Sequence, residues 1–169
     1  MLDKNLQPIN HIRETLAQTL TLPKEAAHSM PAEYYTSPEL VGIEIDEVLR
    51  REWMCVGHIG EVRAPGDFYT TSLLDEQIIV TRDMEGAVRV LSNVCRHRGN
   101  QVAEGAGNAR KFVCRYHTWS YDTTGALLSA PLMKGQTGFA KEKCGLPEFS
   151  SEIWNGWIFV NLDGNASPL

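Results

Sequence analysis

At 169 residues, with 43% hydrophobic and 22% charged side chains, the chain has room for one ordinary domain with its own core plus short additions. A formal charge of -5 argues against a general nucleic-acid binder, which needs a basic surplus to neutralise phosphates. No run of about 18 apolar residues is present to span a bilayer, and the start MLDKNLQPIN lacks the basic-then-apolar pattern of a secretory signal. The expectation is therefore a soluble, cytoplasmic protein with neither nucleic acid nor membrane as partner.

Residues 1–36 mix short polar and apolar stretches, and HIRETLAQTL at 11–20 sets Ile12, Leu16 and Leu20 four apart on one helical face. Ser37-Pro38-Glu39 reads as a helix start, with Ser37 as N-cap and Pro38 at the first helical position. Leu40, Ile43, Val48 and Leu49 continue an apolar stripe toward Trp53, which predicts a helix over 38–51. From residue 53 the texture changes to short β-type runs: WMCVGHI, FYTTSLL, QIIVTRD and AVRVLSNV, with Pro65-Gly66-Asp67 and Met84-Glu85-Gly86 as turns. KFVCRYH, TWSYD and GWIFVNL extend the pattern, and Asp122 to Gly125 forms a further turn. Residues 129–152, with Pro131, Gly135, Gly138, Gly145 and Pro147, read as a long irregular loop. The predicted organisation is an N-terminal arm with two helices over 1–51, a β domain over 52–163 and a tail over 164–169, without internal repeats.

The informative stretch is CRHRGNQVAEGAGNARKFVCRYHTW, in which Cys95-x-His97 is followed after sixteen residues by Cys114-x-x-His117. Each pair combines one cysteine with one histidine. In a 2Fe-2S cluster the bridging sulfides fill half of each iron's shell, so four protein ligands suffice, and two loops can supply them. Where two histidines replace two cysteines on one iron, as in a Rieske centre, neutral ligands take the place of anions. The extra electron is then less disfavoured, and potentials lie at about -150 to +300 mV. Gly99 lacks a Cβ and would let backbone amides approach the sulfides. A zinc site is the alternative for two cysteines and two histidines, although zinc fingers pair Cys with Cys and His with His, and each loop here mixes them. Cys55 and Cys144 are left over and are expected as free thiols in or near the core.

CRHRG followed by CRYHTWSYDTTG resembles the Rieske domain of ring-hydroxylating oxygenase α subunits and the related quaternary-ammonium oxygenases. The flanking REWMCVGH, PGDFYTTSLLDEQIIVTRD and GWIFVNL are similar to the same family, so the likeness runs over roughly residues 34–163. It implies a mainly β fold, a Rieske-type antiparallel β-sandwich or barrel with cluster-binding loops, preceded by short N-terminal helices. It also implies that Cys95 and Cys114 hold the inner iron of a 2Fe-2S cluster, that His97 and His117 hold the outer iron near solvent, and that Trp119 packs over the cluster. The quinol-oxidising Rieske branch has an extra disulfide at positions matching Asn100 and Tyr116, and neither is cysteine here. The resemblance is thus to the oxygenase or soluble-ferredoxin branch, at the low end of the potential range.

Arg96, Arg98, Arg110, Lys111 and Arg115 form a basic set around the ligands, opposed within the motif by Glu104 alone. They read either as a docking face for an acidic electron donor or as residues that solvate the loops. His11, His28 and His58 lie upstream of the motif and are expected to be ordinary side chains. Family oxygenases carry a second domain whose mononuclear Fe(II) is held by two histidines and a carboxylate, and no such set is expected between residues 1 and 169. The resemblance therefore implies an electron-transfer unit with no catalytic residue of its own. Its partners would be a reductase or ferredoxin donor, an oxygenase catalytic domain, and a trimer in the full-length family. Three functional readings follow: the Rieske part of an oxygenase α subunit, a stand-alone electron carrier, or a zinc-stabilised interaction module. REWMCVGH and GWIFVNL favour the first, because small Rieske ferredoxins do not need them.

Overall fold

The computed structural model describes residues 7–133 and 135–169; the first six residues of the predicted arm, and Lys134 of the predicted loop, lie outside the described residues. The chain divides after Leu49 into two units. In the first, α1 spans Gln7–Leu20, which begins before the predicted start at residue 11. Thr15 and Thr19 donate their hydroxyls to carbonyls four residues back, which lets polar β-branched residues sit inside a helix. Ile12 is buried in this unit, and the hydroxyl of Tyr34, on the short helix α2 (Glu33–Thr36), donates to its carbonyl.

Helix α3 spans Pro38–Glu44, with Pro38 in its first turn and the Ser37 hydroxyl accepting the Leu40 N–H at 3.2 Å. The start is as the sequence predicts, but the end is not. After Glu44 the chain widens into a π-helical turn, Ile45–Leu49, instead of running on as an α-helix to residue 51. Gly42 and the β-branched Val41, Ile43 and Ile45 are weak helix formers, and Glu44, Asp46 and Glu47 place negative charge where the helix dipole is already negative.

The second unit is mainly β, with three antiparallel sheets. One takes the order β1 (Met54–His58), β10 (Trp157–Asn161), β9 (Ser150–Trp154). The next has the order β4 (Val88–Ser92), β3 (Glu76–Arg82), β2 (Asp67–Leu73), β5 (Ala106–Asn108). The third is a meander of β6 (Lys111–Val113), β7 (Ser120–Asp122) and β8 (Leu127–Ser129). Strand β9 begins inside the stretch predicted to be an irregular loop, whose first residue closes β8 and which, among the described residues, also holds a 3-10 turn at Lys141–Lys143.

The second sheet separates two cores. Ile78 and Val80 of β3 join Val62, Tyr69, Leu73, Val90, Ile158 and Val160 on one side. Ile79, one residue out of phase, joins Leu91, Val102, Phe112, Trp119, Tyr121 and both Cys95 and Cys114 on the other. A strand buried on both faces needs a continuous apolar run, which is why QIIVTR does not alternate. The predicted turn after β3 is fixed by the fully buried Asp83, whose carboxylate accepts the N–H groups of Glu85 and Ala87 at 3.0 and 2.9 Å and the Arg89 Nε at 2.7 Å. None of the four cysteines is in a disulfide; Cys55, contrary to expectation, is exposed on β1, and Cys144 is half-buried.

Candidate metal centre

Two loops rise from the second core. The first leaves β4 at Asn93 and is tied at both ends by that one buried side chain. The Asn93 Oδ1 accepts the N–H groups of Val102 and Ala103 at 3.1 and 2.8 Å, and its Nδ2 donates to the Ala103 carbonyl at 2.9 Å. Inside that closure the Cys95 N–H donates to the Asn100 carbonyl and the Gly99 N–H to the Cys95 carbonyl, at 2.8 and 2.9 Å. Gly99 has a φ of +70°, and no protein atom stands within 4 Å of where a Cβ would lie. The positive φ requires a residue at home in the left-handed backbone of the turn, and the open space leaves room for a bound group beside its amide.

The second loop joins β6 to β7 and is tighter. The Cys114 N–H donates to the Trp119 carbonyl at 2.8 Å, and the Thr118 N–H to the Cys114 carbonyl at 3.0 Å. Thr118 adopts a φ of +58°, a conformation that a β-branched residue rarely takes and that the two bonds enforce.

These loops bring Cys95, His97, Cys114 and His117 together. Cys95 and Cys114 are 3% and 2% exposed, whereas His97 and His117 are half-buried with ring centroids 4.6 Å apart. Among the described residues no three His, Cys, Asp or Glu side chains gather as a single metal ion requires. The four side chains form two pairs, a buried pair of sulfurs and an outer pair of imidazoles. The His117 Nδ1 is buried with no hydrogen-bond partner among the described residues, and so is the Trp119 Nε1. A buried orphan nitrogen is rare because it forfeits its hydration; a metal ion would satisfy the His117 Nδ1, whereas the Trp119 indole N–H is a donor only and is not accounted for in that way. Burial, then the neighbouring His117 and Arg98, hold His97 below the usual imidazole range and so favour the neutral form that binds metals. Burial pushes the Cys114 thiol up, but the N–H groups of Tyr116 and His117, the Cys95 thiol and the Asn100 amide together outweigh it and favour thiolate.

Trp119 lies flat against His97, with centroids 4.8 Å apart and planes 9° apart, and Phe139 meets its edge at 5.8 Å. Tyr116 covers His117 at 3.8 Å. Tyr121, fully buried, accepts the Arg96 N–H at 3.1 Å and stands 3.3 Å from the Cys95 sulfur. An iron-bound Cys95 thiolate would have no hydrogen to give, and in that state the Tyr121 hydroxyl would be the donor to the sulfur. Sequence reasoning missed Asn93, Tyr121 and Phe139 as parts of this site, since single residues carry no spacing signal. Arg96, Arg98, Arg110, Lys111 and Arg115 are exposed, and Arg115 pairs with Glu104 at 3.3 Å beside an open cleft of about 450 Å³. His58 is engaged elsewhere, its Nδ1 accepting the Gly60 N–H at 3.0 Å, and His11 and His28 belong to the first unit.

Residues 52–149, more than half of the chain, match the family model described as the Rieske [2Fe-2S] domain. The chain belongs to that family. Its cofactor is accordingly the Rieske [2Fe-2S] cluster, and the Rieske domain here is of the ring-hydroxylating oxygenase α-subunit kind. The α subunit of benzene 1,2-dioxygenase from Pseudomonas putida is 36% identical over 151 residues, which make up 88% of this chain and 34% of that protein. The carnitine monooxygenase oxygenase subunit of Acinetobacter baumannii is 30% identical over 155 residues, 91% of this chain and 42% of that one. A crystal structure of naphthalene 1,2-dioxygenase from Rhodococcus sp. bound to indole superposes with a TM-score of 0.85 at 29% identity, covering all of this chain and 38% of that one. The Rieske chain thus spans between about a third and two fifths of the length of these relatives.

Proposed function

We propose that Cys95 and Cys114 ligate the inner iron of the cluster, that His97 and His117 ligate the outer iron, and that the chain is the one-electron relay of a ring-hydroxylating oxygenase. The orphaned His117 Nδ1, its ring packed on His97 and its loop carrying the buried Cys114 sulfur, is the observation that carries this reading. Bound there, the cluster supplies storage for a single electron at a potential set by its mixed ligands.

The chain's own residues do the rest. Buried sulfurs keep the inner side dry, while the half-buried imidazoles give the outer side an exit toward solvent and a partner. Trp119 and Phe139 exclude water from the His97 side and lock its ring. The exposed Arg96, Arg98 and Arg115 give this end a positive rim suited to steering an acidic reductase or ferredoxin. In this reading the electron passes on to a catalytic domain with a mononuclear Fe(II), within a trimer, as the family resemblance implies.

Iron and acid-labile sulfide content, with EPR of the dithionite-reduced protein, tests the assignment. Two irons and two sulfides per chain, with a reduced-state signal of mixed His/Cys ligation, is the expected result. One metal without sulfide overturns it.

A further inference from the structure

Asn100 links the two loops without a covalent bond. Its backbone carbonyl accepts the Cys95 N–H at 2.8 Å, and its Nδ2 stands 2.8 Å from the Gln101 carbonyl and 3.8 Å from the Cys114 sulfur. A side-chain amide carries two N–H donors. One serves the Gln101 carbonyl, and that bond holds the amide in the orientation that offers the other to sulfur. Turning the amide over would set its oxygen against two acceptors, a carbonyl and a thiolate, so the chemistry of the surroundings fixes which end faces the cysteine. The other donors directed at this sulfur include the backbone N–H groups of Tyr116 and His117, whose presence does not depend on side-chain identity.

We propose that Asn100 is a tuning residue of the redox centre, whose amide N–H on the Cys114 sulfur stabilises the reduced state and raises the reduction potential. This rests on Cys114 being an iron ligand, as proposed above. Adding one electron makes the ligand sulfur more electron-rich, and a charge-assisted donor gains strength with it. No bond or proton is transferred; the electron comes from the external reductant. Asn100 is itself exposed, so water partly replaces the amide when it is removed and the effect is moderate.

Mediated redox titration of cluster-loaded wild type, Asn100→Leu and Asn100→Asp is the test. For Asn100→Leu the reduction equilibrium constant is expected to fall by a factor between three and ten, where tenfold is 59 mV for a one-electron couple. Asn100→Asp, which sets a carboxylate against the sulfur, is expected to fall at least as far. Midpoints equal to wild type in both variants overturn the proposal. Iron and sulfide assays on the same samples separate the two levels: a wild type without two irons and two sulfides overturns the ligand assignment and this inference with it. Full loading with unmoved midpoints overturns only the role of Asn100. Should neither variant assemble a cluster, wild type labelled with 15N in its asparagine side-chain amides decides. Pulsed EPR of the reduced protein is expected to show a weakly coupled 15N, and its absence overturns the proposal.

Discussion

Tyr121 illustrates how much one buried hydroxyl can set. Its oxygen accepts the Arg96 N–H and stands 3.3 Å from the Cys95 sulfur; with Cys95 bound to iron as thiolate the hydroxyl would be the donor, so Tyr121→Phe removes that donor while keeping the ring that fills the core. The expected outcome in a redox titration is a cluster retained with its potential lowered by several tens of mV, on the scale of about 59 mV per tenfold change in equilibrium constant. His117→Cys replaces a neutral ligand by an anion, so where the cluster assembles its potential is expected to fall toward the all-cysteine range of about -400 mV. Cys55→Ser, at an exposed position on β1, leaves iron content unchanged. The four proposed ligands were legible because iron chemistry dictates both residue type and spacing. Tyr121, Asn93 and the Asn100 amide were not, because each acts by reaching back across a fold that a linear motif does not display.

At the scale of elements, Asn93 is the clasp of the first loop. Three hydrogen bonds to Val102 and Ala103 converge on its buried side chain, and Asn93→Ala takes these partners from the Ala103 N–H and carbonyl, while the Val102 N–H keeps the Asn93 main-chain carbonyl at 3.1 Å. Denaturant unfolding is expected to show a loss of about 2–4 kcal/mol, given that each unsatisfied buried group costs about 1–3 kcal/mol, together with reduced iron content. Asp83 plays a similar part in the turn between β3 and β4. Burial pushes its carboxyl up, but the Arg89 hydrogen bond and the N–H groups of Ala87 and Glu85 outweigh it and hold the group below the usual carboxylate range. A depressed folded-state value means the stabilisation is present above the unfolded value of about 3.9 and is lost as pH falls through the folded one. Asp83→Asn is therefore expected to lower stability by roughly 1–3 kcal/mol at neutral pH, with the gap to wild type closing in denaturation curves taken at successively lower pH below about 4. The Met84-Glu85-Gly86 turn and the strands on either side of it were readable from their residues. β5 and β8 escaped, since three-residue strands such as AGN and LLS are too short to show alternation. β9 was hidden behind Gly145 and Pro147, whose turn character was extended too far along the chain.

For the second unit as a whole, the division into two cores predicts an uneven response to losing the cluster. Cys95 and Cys114 belong to one core, with Trp119 and Tyr121, while the core of Val62, Tyr69, Ile158 and Val160 contains no ligand. Stripping iron and sulfide is expected to lower the melting temperature, because a bound group stabilises only the folded chain. Hydrogen exchange should rise over residues 93–121 while β1 and β10 keep their protection; uniform loss of protection would contradict the division. The pairing of the proposed ligands also bears on competition among metals in a growing cell. In the arrangement proposed, a lone zinc ion would meet two sulfurs or two imidazoles, half the set that a stable tetrahedral site provides. Zinc outranks iron(II) in ordinary ligand affinity, so a protein that met iron and zinc with four convergent ligands would fill with the wrong one. Splitting the four into two pairs makes the sulfide-bridged pair of irons the occupant that satisfies them all, and protein made when iron is scarce is expected to be colourless and empty rather than zinc-filled.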